Sequence, residues 1–420
     1  MSSPAERWLR IAEEIAESLC ASAYRFHGEC TWMGSVQRGG GAIGGNSIFT
    51  YETLPPDLYN GASGIGLFLA EMFRHTKHGQ MRTIALEALR FSAARLDQIP
   101  ARFRAGFYTG RVGIAYALVQ GGTLLDEPAL IADAHRILDV IAADEGDGIL
   151  LDIISGAAGA IAPLLAMSSS LARDDLFALS EVFGRMIIVA AHRGDTGWSW
   201  GDDATGFHAQ RPLAGYGHGA AGLGLGLMEL FAVTGEEEYR VGALSAFGYE
   251  NALFSSSRGN WPDLRYSADS SDNGHFGVAW CLGAQGIGMS RLRAMALDPL
   301  TAQHVADAEA AIGAVQRQFH NTIHPGSSDF SLCHGFAGDG DFALQAADAL
   351  EREDVRRLAH AIAESGAVAN GGSPTRWHCG LQRGSNPSLM LGLAGIGHFY
   401  LRLADPSVPS VLLVTPELNR

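Results

Sequence analysis

Gly219-Ala220-Ala221-Gly222 is followed by Leu223 to Phe231, a run that is apolar almost all round. A segment with no polar face is buried on every side, so it reads as a helix packed among other helices. The same theme, two glycines enclosing two residues ahead of a small and apolar run, stands at Gly61-Ala62-Ser63-Gly64, Gly110-Arg111-Val112-Gly113 and Gly156-Ala157-Ala158-Gly159. It returns at Gly283-Ala284-Gln285-Gly286, Gly335-Phe336-Ala337-Gly338 and Gly392-Leu393-Ala394-Gly395. Seven copies spaced by roughly 46 to 64 residues mark a repeat architecture. Each interval has room for two helices and their turns.

The segments between copies step by three and four, as in Val305, Ala308, Ile312, Val315 and Phe319, or Leu176, Leu179, Phe183 and Met186. That is the period of amphipathic helices, and no convincing alternating strand pattern occurs inside the repeats. The expected fold is all-α: an α/α toroid of seven inner and seven outer helices, in a single domain over residues 1–420. Residues 1–56 are expected as an N-terminal helix and a glycine-rich loop leading into it. The helix is opened by Ser3 as N-cap, Pro4 at the first helical position and Glu6 closing a capping box. The polar stretch from Gly28 to Asn46 reads as a surface loop or short hairpin, since no Gly-Lys-Ser/Thr completes a phosphate loop.

Composition narrows the function. A formal charge of −15 over 420 residues argues against a nucleic-acid surface. Five widely spread cysteines do not form a disulfide framework and suit a reducing cytoplasm. The first helix is laced with glutamates, unlike a signal peptide, and no apolar run reaches the length of a membrane span.

At the glycine-marked rim, inner helices begin together, and their unpaired N–H groups favour anionic intermediates there. Trp280-Cys281-Leu282-Gly283 and Leu332-Cys333-His334-Gly335 stand at equivalent points of the repeat. Cys281, Cys333 and His334 make a three-point zinc site with one position open, the arrangement of a catalytic zinc; a structural site wants a fourth protein ligand. Zinc with two thiolates suits binding a third thiol as a nucleophile better than polarising a carbonyl, which points to a cysteine substrate. His218 occupies the same repeat position as His334 and is a candidate for moving the thiol proton or protonating a carbanion. Asp152 reads either as a buried functional carboxylate or as a helix N-cap. Cys20 and Cys30 read as packing residues, and Cys379, beside His378, as structural or an extra ligand. Gly217-His218-Gly219-Ala220-Ala221-Gly222 matches a dinucleotide fingerprint, but no strand pattern precedes it.

These glycine copies, together with Trp280-Cys281, Cys333-His334-Gly335 and Gly217-His218-Gly219, resemble the LanC-like lanthipeptide cyclases over nearly the whole chain. Asp57-Leu58-Tyr59-Asn60-Gly61 and the ending from Leu389 to Leu413 look closest to the C-terminal cyclase domain of class II lanthipeptide synthetases. The resemblance implies a Zn2+ ion on Cys281, Cys333 and His334. It implies addition of a peptide cysteine to dehydroalanine or dehydrobutyrine, giving a thioether ring. His218 matches the family's proton-transfer histidine and Asp152 its acidic partner. The implied partners are a dehydrated precursor peptide and a dehydratase, either a separate protein or a domain ahead of this chain. Two positions depart from the pattern: Leu282 stands where Tyr or His is common, and Gly277 where some members carry arginine, with His275 as a candidate substitute. Three competing readings are addition of glutathione, a non-catalytic zinc-containing peptide-binding partner, and a toroidal glycosidase. The last needs two facing carboxylates, and only Asp152 is well placed.

Overall fold

The computed structural model describes residues 3–38, 48–144, 146–207, 209, 211–265, 274–322, 328–370, 376–379 and 386–416. The chain opens with helix α1 (Pro4–Ser22) and two antiparallel strand pairs, β1 (Tyr24–Phe26) with β2 (Glu29–Thr31) and β3 (Met33–Arg38) with β4 (Ile48–Thr53). Helix pairs follow: α2 (Ala62–Thr76) with α3 (Gly79–Ala93), α4 (Arg111–Leu125) with α5 (Pro128–Ala142), and α6 (Ala157–Leu171) with α7 (Asp174–Val189). A small hairpin, β5 (His192–Gly194) with β6 (Gly197–Ser199), and the single turn α8 (Asp202–Thr205) precede α9 (Ala220–Thr234) and α10 (Glu237–Asn251). The last elements are α11 (Ala284–Leu297) with α12 (Gln303–Thr322), α13 (Phe336–Ala349) with α14 (Glu353–Asn370), and α15 (Leu393–Ala404).

The expected toroid is present. Helices α2, α4, α6, α9, α11, α13 and α15 each pack on the next, and α15 packs back on α2 to close the inner ring. Every inner helix carries an outer partner, and the partner of α15 is α1. That placement was not readable from the repeat, because α1 lies at the far end of the chain. It is held by Arg7 Nη2 donating to Glu364 Oε1 at 2.9 Å and by Trp8 lying 5.6 Å from the Tyr400 ring. The capping box is as expected, with Ser3 Oγ accepting from the Glu6 N–H and Glu6 Oε2 accepting from the Ser3 N–H. The glycine-rich stretch from Gly28 contributes β2 and β3, one strand of each hairpin; residues 39–47 lie outside the described residues. No described helix is long and apolar enough to cross a membrane.

The glycine copies meet in a second, smaller ring made of backbone. Around the rim, Tyr59 N–H donates to Tyr108 C=O, Tyr108 to Ile154, Ile153 to Gly217 and Gly217 to Cys281. Trp280 then donates to Cys333, Cys333 to Met390, and Met390 back to Tyr59, all between 2.7 and 3.1 Å. One link per copy satisfies backbone groups that would otherwise be buried without partners. The second glycine of each copy makes this possible. A Cβ at Gly113 would stand 1.7 Å from the Phe107 carbonyl oxygen, and one at Gly286 would stand 2.0 Å from that of Trp280.

Gly286→Ala is therefore expected to push the Trp280–Cys281 backbone out of the ring and to cost roughly 1–3 kcal/mol, as overpacking does. Urea unfolding measures it, and an unchanged midpoint would mean that the rim does not constrain this backbone.

Candidate active site

The backbone ring decides which side chains become neighbours. Cys281 and Cys333 occupy adjacent places in it, Gly217 with His218 lies on one side, and Met390 and Tyr59 lie on the other. Trp280, fully buried, is fixed by its Nε1–H donating to the Leu412 carbonyl at 3.0 Å and by the edges of Tyr108 and Tyr216. The C-terminal segment thus braces the residue next to Cys281 from beneath the rim, helped by Tyr108 O–H donating to Val411 C=O.

The two thiols are in contact. That contact holds Cys281 below the usual thiol range against the opposing effect of burial, and the nearby His334, His218 and Arg265 charges pull the same way. Cys333 is pushed well above the range by the same contact and by burial. The pair therefore shares one proton near neutral pH. Tyr59 O–H donates to Cys333 Sγ at 2.9 Å, adding a phenol that faces the sulfur from across the rim.

His334 is beside them, with its Nε2 3.5 Å from Asp329 Oδ2. Among the described residues no three of His, Cys, Asp and Glu already stand together as a metal cluster. The donor chemistry fits zinc nonetheless: two thiols that hold one charge, and an imidazole on the same wall.

His218 and Asp152, 66 residues apart in sequence, form a dyad, with His218 Nδ1 2.5 Å from Asp152 Oδ2. Asp152 is fully buried, and its other oxygen accepts the Ser155 N–H at 2.8 Å. Asp152 is not the N-cap of α6, a place taken by Gly156 without a side-chain cap; it closes the turn before the helix and partners His218. Phe207 lies against the His218 ring with centroids 4.5 Å apart.

A cleft of ≈ 800 Å³ opens above the thiols, lined by Cys281, Cys333, His334, Tyr59, Arg265 and Phe207, with Ser35, Val36, Glu52 and Thr53 of the β3–β4 pair along one wall. The residues at the two departures do not face it: Leu282 is buried against Gly215, and Gly277 serves as a backbone acceptor for Ala284 and Asn260. His275 is exposed and is not among the cleft-lining residues, its carbonyl taking the Asp263 N–H. Arg265 brings a guanidinium to the cleft, held in a bidentate pair by the half-buried Asp263. Sequence reasoning missed Tyr59, Phe207 and Arg265, which have no signal beyond lying near a glycine copy or in a loop. Cys379 is not among the cleft-lining residues; its Sγ accepts the Asn386 N–H, and burial pushes its thiol up to about 12. Cys20 is raised to about 12 by burial, and Cys30 is raised by the same cause. The element ahead of Gly217 is the single turn α8, and among the described residues no strand leads directly into the glycines, which disposes of the dinucleotide fingerprint.

A lowered thiol pKa means more thiolate at neutral pH, and thiolate is the form that alkylates. In metal-free protein, iodoacetamide at pH 7 is expected to label Cys281 faster than an ordinary thiol, whose pKa is about 8.5. Cys20, Cys30 and Cys379 are expected to stay unlabelled in the folded state. Peptide mapping that finds Cys281 as slow as these three would contradict the shared-proton pair.

The chain is 24% identical over 375 residues to the lacticin 481/lactococcin biosynthesis protein LcnDR2 of Lactococcus lactis subsp. lactis. That match covers 86% of this chain and 37% of the relative, so the chain spans little more than a third of the relative's length. Its fold is similar to that of nisin cyclase, at a TM-score of 0.59 and 15% identity, over 84% of this chain and 89% of that one. The unsaturated glucuronyl hydrolase of Bacillus sp. GL1 is more distant, at a TM-score of 0.46 and 15% identity, over 76% of this chain and 84% of that one. The family described as lanthionine synthetase C-like protein matches residues 52–413, a span that runs from the cleft wall in β4 to the tail beneath Trp280. With that span comes membership: this chain is a LanC-like protein.

Proposed function

We propose that this chain is a zinc-dependent lanthipeptide cyclase, adding peptide cysteine thiols to dehydroalanine or dehydrobutyrine to form thioether rings. The observation that carries the reading is the Cys281–Cys333 thiol pair lining a cleft of ≈ 800 Å³, with the His218–Asp152 dyad on the neighbouring link of the rim, behind the cleft-lining Phe207. Family membership supports it, as do the names of the lacticin 481 relative and of the nisin cyclase neighbour.

Cys281, Cys333 and His334 would hold the metal, which would supply a Lewis-acidic point where an incoming thiol loses its proton at neutral pH. The remaining work belongs to the protein's own residues. The new C–S bond forms at the β-carbon of the dehydro residue, and the electron pair of the broken π bond moves onto the adjoining carbonyl as an enolate. The α-carbon then takes a proton. Asp152 accepts a hydrogen bond from Nδ1–H of His218, which leaves Nε2 as the atom that moves a proton. The Arg265 guanidinium is placed to offset the enolate charge in the cleft. Dehydro residues must be made at another active site, since no nucleotide-binding motif lies within these residues.

Mass spectrometry of a dehydrated, cysteine-bearing peptide incubated with this protein and glutathione tests the reading. Ring closure leaves the mass unchanged and removes alkylatable thiols, which is the expected result. A peptide gaining the mass of glutathione would favour the glutathione-adding reading. A bound but unchanged peptide would mean a non-catalytic partner.

A further inference from the structure

The copy of the repeat that carries His218 is tied to a side chain where two other copies use a backbone carbonyl. In the third and seventh copies, the N–H two residues beyond the first glycine donates to a backbone carbonyl: Ala158 to Leu151 and Ala394 to Pro387. In the fourth, Ala221 N–H donates instead to a side chain, Glu250 Oε1, at 2.9 Å. The same oxygen accepts the Gly215 N–H at 2.7 Å. These two groups bracket Tyr216-Gly217-His218, and Gly215 has φ +104°, a backbone turn that suits glycine.

Glu250 belongs to the outer helix α10, and its second oxygen accepts from Arg291 Nη2 at 2.8 Å. Arg291 lies on α11, the helix that follows Cys281. Its Nε donates to Asp307 Oδ2 at 3.0 Å, its Nη1 donates to Ser290 Oγ at 3.1 Å, and its guanidinium lies 4.0 Å from the Phe247 ring centroid. Glu250 and Arg291 are both 0% exposed. Charges so placed lose their hydration and are weak evidence for stability as such; their best-attested use is to specify one arrangement. Here that arrangement sets the His218 loop against the helix behind Cys281.

We propose that Glu250 and Arg291 are positioning residues for His218, clamping its loop at both ends in register with the thiol pair. The proposal rests on the cyclase reading for its kinetic consequence, but not for its structural one. A misplacement on the order of 1 Å at a reacting group costs about 10²-fold in rate, so a released loop should act on turnover more than on peptide binding.

A matched control exists within the fold. Glu229 on α9 is paired with Arg293 on α11 by two hydrogen bonds, of 2.6 and 2.8 Å, and it is 1% exposed. The bonds formed by Glu229 go to Arg293 and not to the His218 loop.

The test compares Glu250→Gln and Glu229→Gln in the full, zinc-loaded chain. Glu250→Gln is expected to lower kcat for ring closure by roughly 10²-fold with little change in KM, and to move the imidazole NMR signals of His218, assigned with His218→Asn. Glu229→Gln should lower the unfolding midpoint comparably while leaving kcat and those signals in place. Arg291→Lys keeps the charge but loses the fork of donors; it should shift the same signals and serves where Glu250→Gln folds poorly. Unchanged His218 signals in either clamp variant would overturn the proposal, as would equal kcat losses in the Glu250 and Glu229 variants. The imidazole readout needs no peptide, so a wild-type chain that closes no ring would sink the cyclase reading and leave this inference separately testable.

Discussion

Replacing His218 with Asn is expected to slow ring closure by roughly 10²–10⁴-fold, the usual worth of a positioned acid or base, while leaving zinc content and folding intact. Attack at the β-carbon is reversible until the α-carbon gains its proton, so the proton donor controls whether the ring is kept. Leu282 has no proton to give and is buried against Gly215, and His334 is the candidate metal ligand, which leaves His218, hydrogen-bonded to the buried Asp152. Asparagine roughly keeps the shape of the ring and still meets Asp152, so the loss would be chemical and not a collapse of the rim. The reading is the persistence of free thiols in a dehydrated peptide, followed by alkylation and mass. A His218→Asn protein that closes rings at the wild-type rate would refute the role and move attention to Asp152, Arg265 and Tyr59.

The other large effect is that of Cys333→Ala. Removing one of two thiols leaves a single sulfur and one imidazole, too few for a stable zinc site, so metal content should fall from about one zinc per chain towards none. Ring closure should fall with it. The fold should survive, because what Cys333 gives to the rim is backbone: its N–H to Met390 and its C=O to Trp280. Tyr59 O–H loses its sulfur acceptor in this variant. Full zinc occupancy in Cys333→Ala, measured by metal analysis beside circular dichroism, would contradict the assignment.

The Gly-x-x-Gly spacing carries the toroid because each second glycine answers a local need. A backbone passes within contact of its Cα, as Phe107 does at Gly113, and only glycine tolerates that. A local constraint repeated seven times is visible in one dimension. The place of α1 is not, since its partner α15 lies at the other end of the chain and no spacing links them. The site divides in the same way. Cys281, Cys333, His334 and His218 sit at fixed offsets from the glycines and so stand out together. Asp152 stands out too, as a carboxylate in an apolar stretch. Arg265 reaches the cleft from a loop with no repeat register, and His275, whose carbonyl takes the Asp263 N–H, is not among the residues that line it. The tail behind Trp280 was legible only as a family likeness; its job, holding an indole N–H, depends on where the ring closes.

The most direct measurement takes one preparation through three states: as purified, stripped by a chelator, and reconstituted with zinc, each given the same dehydrated peptide. Thiols lost to ring closure should be substantial in the first, near zero in the second and restored in the third. Helical circular dichroism should stay constant throughout, since the helix contacts and not the metal hold the toroid. Ring closure by the stripped protein at the rate of the reconstituted one would contradict the account.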